Sequence, residues 1–431
     1  MREFALSRSL WRETSTPPLN CNTLEEDIAA DVVIIGGGYT GLSAAITAIE
    51  RGLKPVVLEA EEVGFGASGR NGGVVSTKYR VSLSTMAQAH GKEVAQRMNT
   101  LGHAAMDCVE NYVERFQIRN ANLSKTGNIR CAHNKAAFAM LVEEANTTRG
   151  VFGDTSITVL NANEVASETG STRFFGGVLN SHAGIIHPLN YCRGLANAVL
   201  VGGGLIYENS PALRMIEEGS ERRIYTKDGS VRCKQLLIAT NAYSDITSVT
   251  NDVRKTIIPF RSAIISTEAL PASVFDDILC NNRSYSETRR MMRWFRRSGD
   301  SILFGGRGAF GKNDSAAAYS TLAKAMYDTF PQLNGYRVTN RWSGLVAMTM
   351  DSLPQTGLIN KDVAFSLGYN GTGIAMSSLL GRYAIDLLQG EKPDLALMQR
   401  QKPEGIPFFS MRAPAVRTVA AWYQLLDKIG R

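Results

Sequence analysis

Uninterrupted apolar runs and an apolar segment of helical length follow one another in the first part of the chain. Residues Val32 to Ile35 are all apolar and β-branched, which is typical of a parallel strand covered on both faces. Residues Leu42 to Glu50 predict a helix, and residues Pro55 to Leu58 predict a second strand. The order strand, helix, strand predicts a βαβ unit in a parallel sheet.

Three glycines and one carboxylate occupy special places in this unit. Gly36 permits a tight turn, Gly38 lets the backbone approach a pyrophosphate, and Gly41 lets the helix lie close to the strand. The unpaired N–H groups at the start of the helix favour phosphate. Glu59 ends the second strand eighteen residues after Gly41, where a carboxylate accepts hydrogen bonds from a ribose and repels a 2′-phosphate. The pattern predicts a dinucleotide site and disfavours NADP.

A second glycine-rich loop follows the unit. Residues 64–73 read Gly-Phe-Gly-Ala-Ser-Gly-Arg-Asn-Gly-Gly. An NAD enzyme needs no such loop here, whereas a flavin bound in extended form needs backbone along its pyrophosphate, ribityl chain and ring. We therefore interpret the two loops as a site for FAD.

Further motifs are spread along the rest of the chain: Ile186-His-Pro188, Ala239-Thr-Asn241-Ala-Tyr243, Pro259 to Leu270, Gly305-Gly306, Trp342-Ser-Gly344 and Gly368-Tyr-Asn-Gly371. With these and the two glycine loops, nearly the whole chain resembles the glycine/D-amino-acid oxidase (DAO) superfamily of FAD enzymes, and within it the gamma-glutamylputrescine oxidase branch. The glycine loops specify flavin, the later motifs specify the branch, and none of them specifies the substrate.

The resemblance implies FAD held without a covalent bond, since relatives with cysteinyl flavin carry that cysteine in the C-terminal third and this chain has none after Cys280. It implies cofactor contacts from Gly36, Gly38, Tyr39, Thr40, Gly41, Glu59, Ala60, Ala67, Ser68, Gly69, Arg70, Asn71, Gly72, Gly73, Thr240, Asn241, Gly371, Thr372, Gly373 and Ile374. The expected catalytic residues are Trp294, Arg296, Trp342 and Tyr369.

The predicted fold class is α/β with an α+β second domain. A Rossmann-like FAD-binding domain of residues 1–85, 151–250 and 335–431 is expected to interleave with an antiparallel-sheet substrate domain of residues 86–150 and 251–334.

Several elements support this division. Residues 86–117 and 134–149 predict helices of the second domain, and residues 257–267 and 301–304 predict its antiparallel sheet. The loop at 367–375 leads into a helix at 376–388, whose N-terminus can stabilise negative charge on the flavin.

A basic segment from Arg289 to Arg297 alternates like a strand, with Trp294 and Arg296 on one face and Phe295 on the other. Either the first face lies over the flavin and attracts an anionic substrate, or it is a solvated outer face. Both interpretations stay open for Trp294 and Arg296. The remaining arginines are expected to be solvated: Arg289, Arg290, Arg293 and Arg297.

The expected reaction oxidises a C–N bond of an amine by hydride transfer to flavin N5, which gives an imine and, after hydrolysis, an aldehyde or keto acid. A protonated amine has no lone pair to support hydride loss, so the site must favour the neutral amine, and burial does so. Oxygen is the expected acceptor. Two alternatives are a D-amino-acid or N-methyl amino-acid dehydrogenase that passes electrons to a membrane carrier, and a non-catalytic FAD-binding subunit.

The last glycine loop narrows the expected substrate. Sarcosine-oxidase-like relatives carry there a His after the glycine and, three residues later, a Lys that pairs with the substrate carboxylate. This chain has Thr372 and Ala375 at those positions. The departure favours an acylated polyamine or related amine over a simple N-methyl amino acid, although a distant carboxylate can still meet Arg296 or Lys78.

The composition of the chain limits the partners and the location that can be expected for the protein. The net charge of +7 comes from 47 basic and 40 acidic residues and is too diluted for a nucleic-acid partner. No segment reaches the roughly 18 apolar residues of a membrane span, and residues 1–11 lack the apolar core of a signal peptide.

Six scattered cysteines are interpreted as reduced core thiols, so a cytoplasmic location is expected. Residues 413–429 predict a packed terminal helix. The oligomeric state stays open.

The five histidines show no metal-binding spacing, so no metal is expected. His187 precedes Pro188 at the end of an apolar run and is interpreted as structural rather than as a catalytic base.

Overall fold

The computed structural model describes residues 9–307 and 315–411, together with residues 414 and 418. Its helices are α1 (Leu10–Thr14), α2 (Tyr39–Glu50), α3 (Leu83–His90), α4 (Lys92–Arg115), α5 (Lys135–Phe152), α6 (Ala162–Thr169), α7 (Pro188–Val201), α8 (Asn251–Arg254), α9 (Val274–Asp277), α10 (Ala316–Thr329) and α11 (Gly373–Leu388). The terminal helix predicted over 413–429 lies outside the described residues apart from 414 and 418.

The strands form two large sheets and one small one. They are β1 (Asp27–Ile35), β2 (Pro55–Leu58), β3 (Val74–Val75), β4 (Asn128–Cys131), β5 (Ile157–Leu160), β6 (Gly177–Asn180), β7 (Gly184–Ile185), β8 (Leu205–Tyr207), β9 (Arg214–Glu218), β10 (Glu221–Tyr225), β11 (Ser230–Ile238), β12 (Ile258–Thr267), β13 (Ser284–Glu287), β14 (Trp294–Ser298), β15 (Ser301–Arg307), β16 (Val338–Met348), β17 (Gln355–Asn360), β18 (Val363–Leu367) and β19 (Gln399–Arg400).

Within the described residues, the first sheet has nine strands around a parallel centre in the order β18, β11, β1, β2, β8. The apolar runs of β1, β2 and β18 are buried because helices α2, α4, α7 and α11 cover one face and a second apolar cluster covers the other. The predicted βαβ unit is confirmed, with β1 and β2 paired in parallel across α2.

In the part of the chain that the structure describes, the second sheet has eight strands in the order β16, β12, β15, β14, β13, β4, β6, β5. Strand β12 pairs antiparallel with β15, and β14 pairs antiparallel with β15, as predicted. Strand β12 also pairs antiparallel with β16, which was not predicted. Strands β13 and β4 pair in parallel, so the sheet is mixed. One face packs against α10 through residues such as Ile265, Phe304 and Met326, and residues that alternate with these along β12 face the first sheet.

The pairing of the strands places the domain boundaries at other residues than those expected. The segments 151–250 and 335–431, expected in the FAD-binding domain, contain β5, β6 and β16, which all pair in the second sheet. Strand β6 bonds to β4 and to β5, and β16 bonds along the whole of β12. These backbone hydrogen bonds connect strands that are distant in sequence.

The long helix predicted over 86–117 is two helices. Gly91 separates α3 from α4 with a φ of +91°, a conformation that no α-helix continues through. Helix α4 packs against α11 in the core of the first sheet, although residues 86–150 were expected in the other domain. No helix in the described part of the chain combines the length and apolar composition needed to cross a bilayer.

Candidate active site

A cavity lies between the two large sheets. Ile35, Leu58 and Ala239 line it on one side, each at or next to the carboxyl end of a first-sheet strand. Phe260 and Ile264 of β12 line it on the other side. Ligands of open α/β sheets bind outside the carboxyl ends of the strands, so this cavity is the candidate site.

The turn after β1 requires glycine at two positions, as predicted. Gly36 has a φ of +113°, and a Cβ there would lie 2.9 Å from the carbonyl oxygen of Ala239. A Cβ on Gly41 would overlap the carbonyl oxygen of Gly36 and push α2 away from β1. The turn therefore brings the N-terminus of α2, with Gly38 as its N-cap, to the edge of the cavity.

Glu59 lies beside this turn at the end of β2. Its carboxylate accepts hydrogen bonds from the backbone N–H of Gly37 at 2.7 Å and of Glu61 at 3.0 Å. Burial raises its pKa to about 7 even though both hydrogen bonds lower it. The carboxyl group is thus held in place at the cavity wall as an acceptor for hydroxyl groups of a ligand.

The loop at residues 64–73, named here the second glycine loop, is held by its own side chains. Asn71 donates from Nδ2 to the carbonyls of Ala67 and Ser68, and accepts from the N–H of Gly73 at 2.7 Å. The Ser68 hydroxyl accepts from the N–H of Tyr39 at 3.1 Å, which joins this loop to the start of α2. The two glycine segments that the sequence singled out therefore form one continuous wall.

Trp11 supports the second glycine loop from the side opposite the cavity. This residue of α1 is fully buried and donates from Nε1 to the carbonyl of Asn71 at 2.7 Å. Its ring lies 5.0 Å from the ring of His187 and 6.1 Å from that of Trp342, both edge to face. Sequence reasoning missed Trp11, because no motif marks an isolated tryptophan near the N-terminus.

The loop before α11 closes the cavity near the first sheet. The hydroxyl of Tyr369 lies 2.7 Å from Thr40 Oγ1 and 2.9 Å from Ser366 Oγ, and burial raises its pKa to about 12. The side-chain oxygen of Asn241 accepts from the N–H of Gly368 at 3.0 Å. These bonds tie the end of β18 to the start of α2 and to the segment after β11.

The family model described as FAD dependent oxidoreductase (DAO) matches residues 31–387, which include the turn after β1, both glycine loops and the strands around the cavity. The chain belongs to this family. It is therefore a flavoenzyme, an FAD-dependent oxidoreductase.

Two curated proteins and one solved structure show how far the family likeness extends. The chain is 30% identical to gamma-glutamylputrescine oxidoreductase of Escherichia coli (strain K12) over 411 residues, which cover 95% of each chain. It is 31% identical to probable oxidoreductase OrdL of Haemophilus influenzae over 402 residues, 93% of this chain and 92% of that protein. Glycine oxidase from Geobacillus kaustophilus has the same fold, with a TM-score of 0.75, 19% identity, and coverage of 88% of this chain and 100% of that one.

The residues of the cavity fit the family's cofactor. The N-terminus of α2 offers N–H donors and a partial positive charge for a pyrophosphate, and Glu59 offers the acceptor for a ribose. A Cβ on Gly38 would lie 2.8 Å from Ser68 Oγ, so glycine at 38 allows the two glycine loops to approach each other closely. From here the lining continues to the loop before α11 and to the second sheet, which suits a ligand bound in extended form.

Most of the predicted site residues line the cavity. Those that do are Gly36, Gly38, Tyr39, Thr40, Glu59, Ala60, Ala67, Ser68, Arg70, Asn71, Gly72, Thr240, Asn241, Trp294, Tyr369, Gly371, Thr372, Gly373 and Ile374. Those outside the described lining are Gly41, Gly69, Gly73, Arg296 and Trp342. The three glycines of the second set lie where a Cβ would overlap a backbone carbonyl, so they permit close packing of the walls.

Arg296 and Trp342 hold the second glycine loop from outside the cavity. Arg296 is 3% exposed and donates to the carbonyls of Gly72 at 2.8 Å and Ile186 at 2.9 Å, and burial lowers its pKa to about 9. Trp342 is buried and donates from Nε1 to the carbonyl of Arg70 at 3.1 Å. Both side chains of the second sheet thus bind backbone of the second glycine loop.

Trp294 lines the cavity, which is one of the two positions that the alternation of side chains along β14 left open. Its indole lies in the cavity wall between Gly72 and Gly305, and a Cβ on either glycine would overlap the ring. Trp294 and Arg296 are on the same face of β14, but only the tryptophan faces the cavity. Trp294 therefore faces the cavity and Arg296 is buried behind the second glycine loop, and neither lies on a solvated outer face.

The arginines that were expected to be solvated have different surroundings. Arg289 forms an ion pair with Glu287 at 2.9 Å, and Arg297 forms one with Asp300 at 3.6 Å. Arg290, expected to be solvated away from the site, is exposed but lines the mouth of the cavity.

The glycine loop before α11 also departs from expectation. Thr372 lines the cavity, but Ala375 is 1% exposed and packs in the apolar core of the first sheet. A side chain at 375 points into that core, so the missing lysine at this position says nothing about a carboxylate in the cavity, and only the replacement of His by Thr372 changes the cavity lining.

Lys78 is a cavity residue outside the predicted set. It is half-buried and lines the cavity, and no described residue forms a hydrogen bond or ion pair with its ammonium group. Burial, with the charges of Arg130 and Arg80, lowers its pKa to about 7. The sequence named it, together with Arg296, only as a group that can meet a distant carboxylate.

The histidines lie outside the cavity lining. His187 caps α7, as the structural interpretation required, and its Nδ1 accepts from the N–H of Asn190 at 3.2 Å. On the surface, Asp107, Glu110 and His182 bring ligand-type atoms within 4.8 Å of one another, although Lys125 already pairs with Glu110 at 2.8 Å. All six cysteines are free; Cys280 is exposed, so it is not the core thiol that was expected.

Proposed function

We propose that this flavoenzyme oxidises a C–N bond of an amine, with oxygen as electron acceptor, and that its substrate is an acylated polyamine or a related amine. The observation that carries the proposal is the apolar side of the cavity formed by the second sheet, including Phe260, Ile264, Trp294 and Met348. The 30% identical relative is by name an oxidoreductase of gamma-glutamylputrescine, an acylated diamine.

The lining sets the protonation state of the amine. An alkylammonium ion has a pKa near 10 in water, and it must lose a proton before its nitrogen lone pair can support hydride loss. An apolar wall disfavours the charged form, which lowers that pKa. FAD, when bound, supplies the hydride acceptor. The amine loses one hydride and one proton to become an imine, and water converts the imine to a carbonyl product.

We propose different roles for the four expected catalytic residues. Trp294 and Tyr369 line the cavity and are proposed to face the substrate and the cofactor. The hydroxyl of Tyr369 is engaged by Thr40 and Ser366, so we assign it to positioning rather than to proton transfer. Arg296 and Trp342 are positioning residues, because their polar hydrogens bind carbonyls of the second glycine loop.

We also propose that FAD is held without a covalent bond. No cysteine or histidine, the usual points of covalent attachment, occurs among the described residues that line the cavity. The purified protein is expected to be yellow, and acid precipitation should leave the colour in the supernatant. Yellow colour that stays with the washed pellet would contradict this.

The experiment for the activity is an amine panel with two readouts. Anaerobic mixing with each amine or amino acid should bleach the flavin only for true substrates, and peroxide release in air should then identify oxygen as the acceptor. Bleaching by amino acids alone, with turnover only when an artificial acceptor is added, would replace the proposal by an amino-acid dehydrogenase. No bleaching by any compound would leave a non-catalytic FAD-binding subunit.

A further inference from the structure

We propose that Lys78 binds an anionic group of the substrate, at the end of the cavity away from the reacting carbon. This rests on the proposed function, since it takes the reacting amine to lie beside Trp294. The substrate would then be an amine whose far end carries a carboxylate or a similar anion.

The geometry depends on which residues of the segment 72–80, which includes β3, line the cavity. Gly72, Val74, Ser76, Lys78 and Arg80 all line the cavity, and the residues between them do not. The intervening residues anchor the segment on its other side: Asn180 Nδ2 donates to Thr77 Oγ1 at 2.9 Å, and the Tyr79 hydroxyl donates to the carbonyl of Met98 at 2.9 Å. The direction of Lys78 is therefore set by bonds to β6 and α4.

Within the described residues, the charged side chains that line this end of the cavity are all basic. Carboxylates in the described lining are Glu59 and Glu61, at the end of β2. Among the described residues, the lining from residues 72–80 and from the second sheet contains no acidic side chain, but it contains Lys78 and the exposed Arg80 and Arg290. A cavity with cations alone at one end attracts an anion and repels a second ammonium group of a free polyamine.

Lys78 itself lacks a protein partner for its ammonium group within the described residues, although it is half-buried. A buried lysine is normally paired, because an unpaired charge loses solvation without compensation. Here the neighbours add repulsion, and the pKa of about 7 reports that cost. A ligand carboxylate would remove the repulsion and supply the missing partner.

The separate positions of Trp294 and Lys78 favour an amine whose anion lies several bonds from the reacting carbon. Trp294 lies against Gly72, and Lys78 is six residues further along the chain. The carboxylate of an α-amino acid is attached to the reacting carbon itself, so it would stay beside Trp294.

The test compares two substrates with the same amine and the same kind of acyl link. Monoacetylputrescine ends in a neutral methyl group, and monosuccinylputrescine ends in a carboxylate. We expect the wild-type kcat/KM to favour the succinyl compound at least tenfold. Lys78→Met should raise its KM by about 10- to 100-fold, with kcat nearly unchanged, and should leave both constants for the acetyl compound unchanged.

Exposed Lys234→Met, a matched loss of one lysine on β11, should change neither substrate's constants. Equal effects of Lys78→Met on both compounds, or no effect on either, would overturn the proposal. If neither compound bleaches the flavin of the wild type, the proposed function fails and the Lys78 assignment is judged by binding alone. Monosuccinylputrescine should then perturb the flavin spectrum with a Kd at least tenfold lower in the wild type than in Lys78→Met, and equal Kd values would refute it.

Discussion

At the scale of single residues, the support behind the second glycine loop is the least expected feature. Trp11, Arg296 and Trp342 come from distant parts of the chain and each donates to a carbonyl within residues 70–72. The guanidinium of Arg296 also lies 5.2 Å from the ring of Trp11. The loop backbone is thus held by three buried side chains before any ligand binds, which reduces the entropy lost on binding.

Trp11→Phe tests this support. The ring stays but the N–H is lost, so the carbonyl of Asn71 is left without that donor and unfolding free energy should fall by about 1–2 kcal/mol. The FAD dissociation constant should rise at least about threefold, which is under 1 kcal/mol, because the loop loses part of its preorganisation. Fluorescence titration of apoprotein with FAD measures the second effect.

Tyr327→Phe is the control for Trp11→Phe, since its hydroxyl also donates to a backbone carbonyl, that of Tyr336 at 2.7 Å, but outside the cavity lining. It should lower stability by a similar amount and leave FAD binding unchanged. Equal FAD affinity in both variants and the wild type would show that Trp11 has no influence on the site.

At the scale of elements, helix α7 is capped at its N-terminus by His187, whose side chain also binds the N-terminal segment at Thr14. His187 Nδ1 accepts from the N–H of Asn190, so the proton lies on Nε2, which donates to Thr14 Oγ1 at 3.0 Å. Burial, with the nearby charge of Arg296, lowers the pKa of His187 to about 4. The cap works only with a neutral ring, since protonation of Nδ1 removes the acceptor.

A pH dependence of stability follows. The pKa of His187 is lower in the folded state than in the unfolded state. The stabilisation by its neutral ring is therefore complete above the unfolded pKa of 6.5 and is lost as the pH falls towards 4, by up to about 3 kcal/mol. His187→Asn keeps a capping acceptor that does not titrate, so urea unfolding should show a smaller loss of stability than the wild type between these pH values.

Exposed His90→Asn serves as the comparison for His187→Asn and should follow the wild-type pH dependence. Parallel curves for the wild type and His187→Asn would mean that the cap does not depend on the neutral ring.

At the scale of the whole molecule, the cavity is shared by both large sheets, and side chains of the second sheet bind the loop that belongs to the first. The two sheets therefore cannot separate without exposing Arg296 and the carbonyls that it binds. We expect the molecule to unfold cooperatively around the cofactor.

FAD should raise the midpoint of one thermal transition that includes both sheets. At a free concentration of 100 times Kd, the ligand adds about 2.7 kcal/mol to stability. Scanning calorimetry should show a single peak that moves to higher temperature as FAD is added. Two peaks, of which only one responds to FAD, would show that the sheets unfold independently.

Local patterns in the sequence determined the βαβ unit, the two glycine loops and the place of Glu59, because these depend on residues close together in the chain. The apolar run of β1 and the approach of Gly41 to the carbonyl of Gly36 involve residues that are close together in the chain. Family membership and the cofactor could be predicted for the same reason.

The tertiary structure alone decided how distant segments share the sheets and the site. Strands β5, β6 and β16 belong to the second sheet because of hydrogen bonds to β4 and β12, which no local pattern specifies. Trp294 and Arg296 look equivalent in the alternation of β14, yet one lines the cavity and the other binds the carbonyls of Gly72 and Ile186. Periodicity assigns a side chain to a face, but only the packing of the other elements decides what that face meets.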